Sequence, residues 1–430
     1  MIMKRNIRIA IVGYGVVGQG VYGIIEDNRK AIEKRIGASC EIAAICDLRK
    51  IPQKSLHVRD FRKVIERKDI DIVVELMGGY EPARTLILES IKSGKHIVTA
   101  NKAVLAKHWD EIFTLARQYS RLVFFEASVC GAVPVIQVLN EGLAANRIEK
   151  ISGILNGTTN YILSEMTREK LSFAAALLRA QKSGFAEADP SFDIEGIDTA
   201  NKLAILSSLA WGGWVQLSDI RTRGITMVSS DDVYFAKKFG YVIKLLGTAI
   251  NRSDWLELSV EPRLVPIKHS FAHVHKEYNA VVLQGDAAGD IMLSGKGAGQ
   301  LAAASAVVSD IIFVARQVAN GTAGRVPYVM NDPQKKPKIL DSSECDGSYY
   351  LRFVTADKPG VLSKISGILG KYEVSIASVY QEEPLVKLRR GVPIIMLTHL
   401  TNLADLEEAL EAIDELPIIK AKSVYYKIEN

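Results

Sequence analysis

The sequence predicts a doubly wound parallel α/β sheet, then an α+β region, then a small ferredoxin-like βαββαβ tail, and three observations carry that prediction. Short apolar bursts alternate with helix-like stretches in the first part of the chain. Ala-rich helical stretches mix with alternating strands after about Gly131. From Tyr349 to Asn430 the order reads strand, helix, strand, strand, helix, strand.

The first burst, Ile7-Arg-Ile-Ala-Ile-Val-Gly13, is short, β-branched and almost continuously apolar, the pattern of a central parallel strand buried on both faces. Similar bursts recur at Glu41–Cys46, Ile70–Glu75, His96–Thr99 and Leu122–Phe125, with helical stretches such as Glu81–Ser93 and Trp109–Tyr119 between them. Beyond Gly131, helices are expected over Ser172–Ser183 and Thr199–Ala210 and a strand over Trp255–Val260. Asn331-Asp-Pro-Gln-Lys-Lys-Pro-Lys338 is polar, carries two prolines and breaks every periodicity, so it reads as a linker. In the tail, strands are expected at Tyr350–Val354, Val374–Tyr380, Gly391–Leu400 and Ile418–Ile428, and helices at Leu362–Tyr372 and Leu403–Glu415. The expected division is 1–130, 131–330, a linker at 331–347 and 348–430, with a helix at about 300–320 packing back on the first domain.

Composition narrows the function classes. At 48% hydrophobic and 24% charged, the 430-residue chain is no disordered, collagen-like or coiled-coil sequence. A formal charge of +5 over this length gives no reason to expect nucleic acid or an anionic membrane as partner. Cys40, Cys46, Cys130 and Cys345 have no C-x-x-C spacing, so neither a disulfide framework nor a cysteine zinc site is expected. The start, Met1 to Asn6, lacks a leader pattern and no run reaches about 18 uninterrupted apolar residues, so a cytoplasmic protein without a membrane span is expected.

Gly13-Tyr14-Gly15-Val16-Val17-Gly18 is G-x-G-x-x-G directly after the first strand. Glycines there allow a tight turn and let backbone N–H groups approach a pyrophosphate at a helix N-terminus. Asp47 ends the next strand and is placed to accept from a ribose hydroxyl, although it lies farther from the loop than the usual ~20 residues. Arg49 and Lys50 beside it are the alternative, a grip on a 2′-phosphate. NAD and NADP both stay open here, NADP being the favoured one.

The stretch from Ala180 to Lys202 places Glu187, Asp189, Asp193 and Glu195 in a loop punctuated by glycine and proline, then enters a helix on which Asp198 and Lys202 share a face. On residue chemistry alone a solvated acidic rim, with Asp198 as a helix cap and Lys202 its surface partner, is an equal alternative. This stretch resembles the signature of homoserine dehydrogenases. Thr99-Ala-Asn-Lys102-Ala, Glu126-Ala-Ser-Val-Cys-Gly-Ala-Val-Pro134, Gly153-Ile-Leu-Asn-Gly-Thr-Thr-Asn-Tyr-Ile-Leu163 and Gly295-Lys-Gly-Ala-Gly299 resemble further segments of that family, in the family order. Together they cover roughly residues 7–320.

The resemblance implies a Rossmann-type first domain and reversible hydride transfer between a nicotinamide cofactor and the carbonyl carbon of L-aspartate 4-semialdehyde, giving L-homoserine. It implies Lys202 as the first choice for proton donor and Lys102 for orienting substrate and nicotinamide, two lysines that would lower each other's pKa if they converge. It further implies Glu187, Asp193 and Asp198 at the ammonium and hydroxyl end of the substrate, and Gly157 and Thr158 in a loop against it. Thr99 and Gly297 join the cofactor set. A monovalent cation, Na⁺ or K⁺, is implied at Glu126, Val129, Gly131 and Val133. One departure stands out: where relatives usually carry Pro-Thr, this chain reads Gln300-Leu-Ala302-Ala303-Ala-Ser305.

Asp357-Lys-Pro359-Gly360-Val-Leu362 resembles the start of an ACT domain, which implies sheet pairing between subunits, a homodimer or homotetramer, and L-threonine as a feedback effector. Three other functions compete. Cys130 as the nucleophile of an aldehyde-oxidising enzyme lacks an evident histidine partner in sequence, and an amino-acid sensor on a degenerate scaffold would lack the lysines and carboxylates that are present here. A kinase fused upstream is not expected, because the glycine loop opens almost at the first residue. His269, His273 and His275 have metal-like spacing, but the resemblance implies no zinc there and on an alternating strand His273 and His275 share a face, so no metal is expected at them.

Overall fold

Strand β1 (Asn6–Val12) is flanked on both sides by parallel partners, β2 (Ser39–Cys46) and β4 (Ile72–Glu75), which explains why its sequence is apolar on both faces. With β3 (His57–Val58), β5 (His96–Thr99) and β6 (Val123–Phe124) the sheet runs β3-β2-β1-β4-β5-β6, all parallel. The order reverses between β1 and β4, and the crevice outside the carboxyl ends of these strands is where such a sheet binds ligands. The computed structural model describes residues 6–253, 255–381 and 391–429; the start of the chain read above for a leader lies outside them.

The chain divides into two compact units. The first holds Met1–Ile151, Asn201–Asp219 and Asn279–Pro337, the second Ser152–Ala200, Ile220–Tyr278 and Lys338–Asn430. In the first unit, Ile7, Ile9, Ile11, Val21 and Ile25 share one apolar cluster with Ala304, Val307, Ile311 and Val314 of the Gln300–Ala319 helix. Among the described residues this is the helix long and apolar enough to cross a membrane, and half of it is buried in the protein instead. The Asn331 segment is less loose than its composition suggests. Asn331 is buried, accepts from Trp109 Nε1 at 3.1 Å and donates to Asp110 at 3.1 Å, and Asp332 N donates to Gly212 O at 3.0 Å. Its polar groups serve as tertiary hydrogen-bond partners, which composition cannot distinguish from solvation.

In the second unit the hairpin of Tyr241–Arg252 and Trp255–Pro266 continues into the tail, where the strand order is Ile419–Ile428, Tyr349–Thr355, Val392–Thr398, Ile376–Gln381. The junction is a parallel pairing, Arg263↔Lys427 and Leu264↔Ile428. Helices Val361–Lys371 and Leu403–Asp414 cover one face of the tail sheet around Leu351, Phe353, Ile365, Met396 and Leu406. Its other face turns Tyr350, Arg352 and Tyr426 toward the fully buried Asp232, which accepts from Tyr350 Oη at 3.0 Å and Arg352 Nε at 2.6 Å. The ferredoxin-like order is therefore present, built into a larger sheet rather than hung beside it.

Candidate functional site

At the end of β1 the chain turns at Gly13, whose φ of +102° is a conformation only glycine adopts freely. A Cβ there would lie 2.6 Å from the Leu76 carbonyl, and one at Gly18 would lie 2.2 Å from Gly13 O, so both glycines are demanded by close backbone packing. The Val16–Asp27 helix follows with Gly15 as its N-cap and no side-chain cap bond, an N-terminus suited to an anion. Gln300 Nε2 donates to Val16 O at 3.0 Å, so the start of the Gln300–Ala319 helix supports this first turn.

A cavity of about 780 Å³ opens beside the loop, bordered by Gly13, Gly15, Asp47, Arg49, Arg59 and Arg62 among others. Asp47 behaves differently from a simple ribose acceptor. Its Oδ2 accepts from Tyr14 N at 2.9 Å and Arg49 Nη2 at 3.0 Å, and its Oδ1 accepts from Arg49 N at 2.8 Å and Arg49 Nε at 3.0 Å. The Arg49 guanidinium holds this carboxyl far below the ordinary aspartate range. Arg49 itself stays 70% exposed, and Lys50 is exposed. Thr99 is fully buried; its hydroxyl donates to Glu75 Oε2 at 2.6 Å and accepts from Asn101 N at 3.0 Å. Glu75, unremarked in the sequence, also accepts from Met77 N at 2.8 Å and Gly78 N at 3.3 Å, fixing the ends of β4 and β5, and burial raises its pKa. Lys102 opens the Lys102–Gln118 helix, which Asn101 caps by accepting from Val104 N.

The segment expected to hold a cation is also in the first unit. Glu126, a buried residue, accepts from Ile136 N at 2.8 Å and Gln137 N at 2.9 Å, one backbone N–H on each oxygen, while its own N–H donates to Asp310 at 2.8 Å. Burial pushes its carboxyl up to about 7 despite those two bonds. Each oxygen of this carboxylate thus meets one backbone N–H and keeps a further lone pair, and main-chain carbonyls are the other donors that suit a hard cation here. Val129 and Val133 are buried, and Gly131, at φ +55°, packs so closely on Gly297 that a Cβ would lie 2.6 Å from its carbonyl oxygen. Cys130 Sγ accepts from Asn279 Nδ2 at 3.4 Å.

The acidic stretch forms a corner in the second unit around a residue the sequence reading passed over. Asn156 caps the Gly157–Glu169 helix, its Oδ1 accepting from Thr159 N at 2.8 Å, and its Nδ2 donates to Asp193 Oδ1 at 2.7 Å and Asp198 Oδ2 at 2.9 Å. An asparagine before glycine at a helix start was legible as a cap; its second task was not. Gly157 is tight against Glu277 O, 2.7 Å from a would-be Cβ, and Thr158 Oγ1 donates to Phe185 O at 2.7 Å. Glu187 is exposed, its carbonyl accepting from Gln181 Nε2.

Asp198 and Lys202 lie one turn apart on the Ile197–Trp211 helix and are only 3% and 8% exposed, so the solvated-rim reading of this pair is wrong. Asp198 is in the first helical turn rather than at its cap. The histidines also differ from expectation: Ser270–His273 is a 3₁₀ turn, not an alternating strand, because His269 Nδ1 accepts from Phe271 N and closes the turn. Among the described residues no group of three or more His, Cys, Asp or Glu is placed to hold a metal.

Comparison with known proteins places these features. The family model described as homoserine dehydrogenase matches residues 134–312, that of the homoserine dehydrogenase NAD-binding domain residues 13–126, and that of the ACT domain residues 349–418. The homoserine dehydrogenases of Neisseria gonorrhoeae and Pseudomonas aeruginosa are 41% and 40% identical, each alignment covering 99% of both chains. A homoserine dehydrogenase structure from Thiobacillus denitrificans superposes with a TM-score of 0.93 at 39% identity over 99% of each chain. A hyperthermophilic archaeal homoserine dehydrogenase in complex with NADPH matches 72% of this chain and 97% of its own, at 25% identity and a TM-score of 0.61.

Proposed function

The chain belongs to the homoserine dehydrogenase family, an oxidoreductase with a nicotinamide-dinucleotide-binding domain and a C-terminal ACT domain, and from that premise we propose how its residues divide the work. A nicotinamide dinucleotide held at the glycine loop would supply the hydride to, or accept it from, the carbonyl carbon of L-aspartate 4-semialdehyde. Charge then grows on the carbonyl oxygen, and Lys202 donates the proton that makes the hydroxyl of L-homoserine; in reverse its neutral amine takes that proton. Lys102 orients substrate and nicotinamide. Asp193 and Asp198, positioned by Asn156, hold the substrate ammonium and hydroxyl end with Glu187, and Gly157 and Thr158 form the loop against it. The observation that carries this reading is the Asn156 amide bridging two carboxylates at 2.7 and 2.9 Å, one of them a turn from Lys202.

Gly13 to Gly18 hold the pyrophosphate, with Thr99 and Gly297 near the cofactor. NADP is the favoured dinucleotide, because Arg49, Arg59 and Arg62 border the crevice while both Asp47 oxygens are engaged; the archaeal relative's NADPH accords with this. A monovalent cation rests on the Glu126 carboxylate and on main-chain oxygens at Val129, Gly131 and Val133. The protein works in the cytoplasm as a homodimer or homotetramer, in threonine, methionine and isoleucine biosynthesis, and L-threonine regulates it through residues 348–430. The domain limits 1–130 and 131–330 and the linker at 331–347 belong to the same proposal. Absorbance of NAD(P)H in the full-length protein with L-homoserine, NAD⁺ and NADP⁺ tested separately with and without L-threonine, checks each part. Turnover with NADP⁺ and inhibition by L-threonine are expected; folded protein supplied with Na⁺ or K⁺ that turns over neither cofactor overturns the assignment.

A further inference from the structure

Residues 102–118, 201–219 and 331–337 all fall in the first unit, and one side chain there joins the helix of Lys102 to the turn that ends the helix of Lys202. The Lys102–Gln118 helix is not continuous. At His108 the backbone leaves helical geometry, with φ −126° and ψ 28°, so residues 102–107 form a front piece of fewer than two turns. Just before the break, Trp214 Nε1 donates to Ala106 O at 2.9 Å, the oxygen that a straight helix would offer to the N–H of Asp110. The other end of the front piece is fixed too. Asn101 Oδ1 accepts from Val104 N at 3.3 Å, and Asn101 Nδ2 donates to Gly79 O at 2.8 Å. A helix this short has little stability of its own, so its direction is set by what holds its two ends.

Trp214 is itself anchored to the helix of Lys202. That helix ends at Trp211, and Gly212, at φ +71°, turns the chain. Val215 N donates to Ser208 Oγ at 2.9 Å, and Ser208 Oγ donates to Ala204 O at 2.8 Å, which ties the turn back onto the helix. From outside, the turn is pressed by the Asn331 segment: a Cβ at Gly213 would lie 2.3 Å from Lys335 O. The rear piece of the Lys102 helix is held by other groups, Trp109 Nε1 on Asn331 Oδ1 and Asp110 on Asn331 Nδ2. The break therefore lets the front piece, with Lys102, take its direction from Trp214.

We propose that Trp214 is a positioning residue, setting through Ala106 where Lys102 stands relative to Lys202. The indole is rigid and its N–H can only donate, so it fixes one oxygen at one place. Misplacing a group that orients reactants by about 1 Å can cost about 100-fold in rate, whereas a cofactor gripped by the glycine loop stays bound. The inference rests on the reading of Lys102 as the residue that orients substrate and nicotinamide.

The test compares three single variants of the full-length protein, Trp214→Phe, Asn331→Ala and Lys102→Ala, with the double variant Lys102→Ala, Trp214→Phe. Rates are taken in single turnover with enzyme in excess, which keeps slow variants on scale, and in steady state for KM. Trp214→Phe keeps a ring and deletes the N–H; kcat should fall by at least about tenfold with KM for NADP⁺ within about twofold. Asn331→Ala unties the rear piece, so it should melt lower yet keep kcat within about threefold. Without Lys102, the Trp214 change should cost less than about twofold, because groups that act through one another are not additive. A near-normal kcat in Trp214→Phe overturns the proposal, as does an equal loss in Asn331→Ala or a further tenfold loss in the double variant. Should Trp214→Phe not fold, Ser208→Ala loosens the same turn from the Lys202 side, and the same split between kcat and KM decides. Full kcat in Lys102→Ala sinks the reading of Lys102 and this inference with it; an impaired Lys102→Ala beside an intact Trp214→Phe sinks this inference alone.

Discussion

The glycine crevice of the first unit and the acidic corner of the second are built from opposite materials. In the crevice the geometry belongs to the backbone: Gly13 at φ +102°, Gly18 pressed on Gly13 O, and a helix N-terminus without a side-chain cap. At its rim the Arg49 side chain is exposed. In the corner the geometry belongs to side chains, Asn156, Asp193 and Asp198, of which Asn156 and Asp198 are 4% and 3% exposed. A backbone-built site tolerates most side chains around it but no added Cβ at a few points. A site built of buried side chains fails whenever one group loses its partner, since the other is left desolvated and unpaired.

Substitutions should separate the two regions by which kinetic constant they move. Lys202→Ala carries the largest expected effect: kcat falls by at least about 100-fold, the lower end of acid–base catalysis, while cofactor affinity by NADPH fluorescence stays nearly intact. A loss below about tenfold would move the proton to Lys102 or water. Asn156→Ala comes next. Asp193 and Asp198 lose the amide between them, and kcat/KM for L-homoserine should drop by roughly 10- to 100-fold at unchanged KM for the cofactor, the equivalent of about 1.5–3 kcal/mol. Equal damage to both KM values would mean that Asn156 matters only as a helix cap. In the crevice, Gly18→Ala should raise cofactor KM about tenfold and keep most of kcat at saturation. Gly15→Ala is the control, since a Cβ there meets nothing within 4 Å and the free protein should melt unchanged. If Gly15→Ala nevertheless weakens cofactor binding, the pyrophosphate comes close to that residue.

What the sequence made legible follows the same division. The parallel strands, the tail order and the glycine loop were readable because periodicity and glycine spacing report backbone conformation, and β5 falls at His96–Thr99 as expected. Partners of polar side chains were not readable. Asp47 looked like a ribose acceptor, yet a turn two residues long returns Arg49 to it. That both Glu126 oxygens meet backbone N–H groups ten and eleven residues on was equally hidden. The i, i+4 spacing of Asp198 and Lys202 fixed their shared face but not whether that face was wet. The bridge from Asn156 spans 37 and 42 residues, a distance over which sequence pattern carries no register.

The smallest expected effect tests how firmly the corner is held. Lys244, 3% exposed, donates to Asn160 Oδ1 at 2.8 Å and Val274 O at 2.5 Å. Asn160 lies one turn beyond the Asn156 cap, and its amide donates to Val274 O, Lys276 O and Tyr278 O, fastening the segment that sets Glu277 O against Gly157. Burial lowers the Lys244 pKa to about 7, against roughly 10.4 in an unfolded chain. Below pH 7 both states are protonated and the folded state bears the full penalty of a buried charge. Between about 7 and 10.4 the unfolded chain binds the proton that the folded one has released, so this group's contribution to stability rises with pH through that window. Neutral Lys244 keeps two N–H donors for its two acceptors. Lys244→Met removes the titration, so melting temperatures of the variant between pH 7 and 10 should climb less steeply than those of wild type. Parallel curves would mean that Lys244 titrates at its ordinary value with water reaching it, and the second unit would then hold its corner more loosely than the burial of its side chains implies.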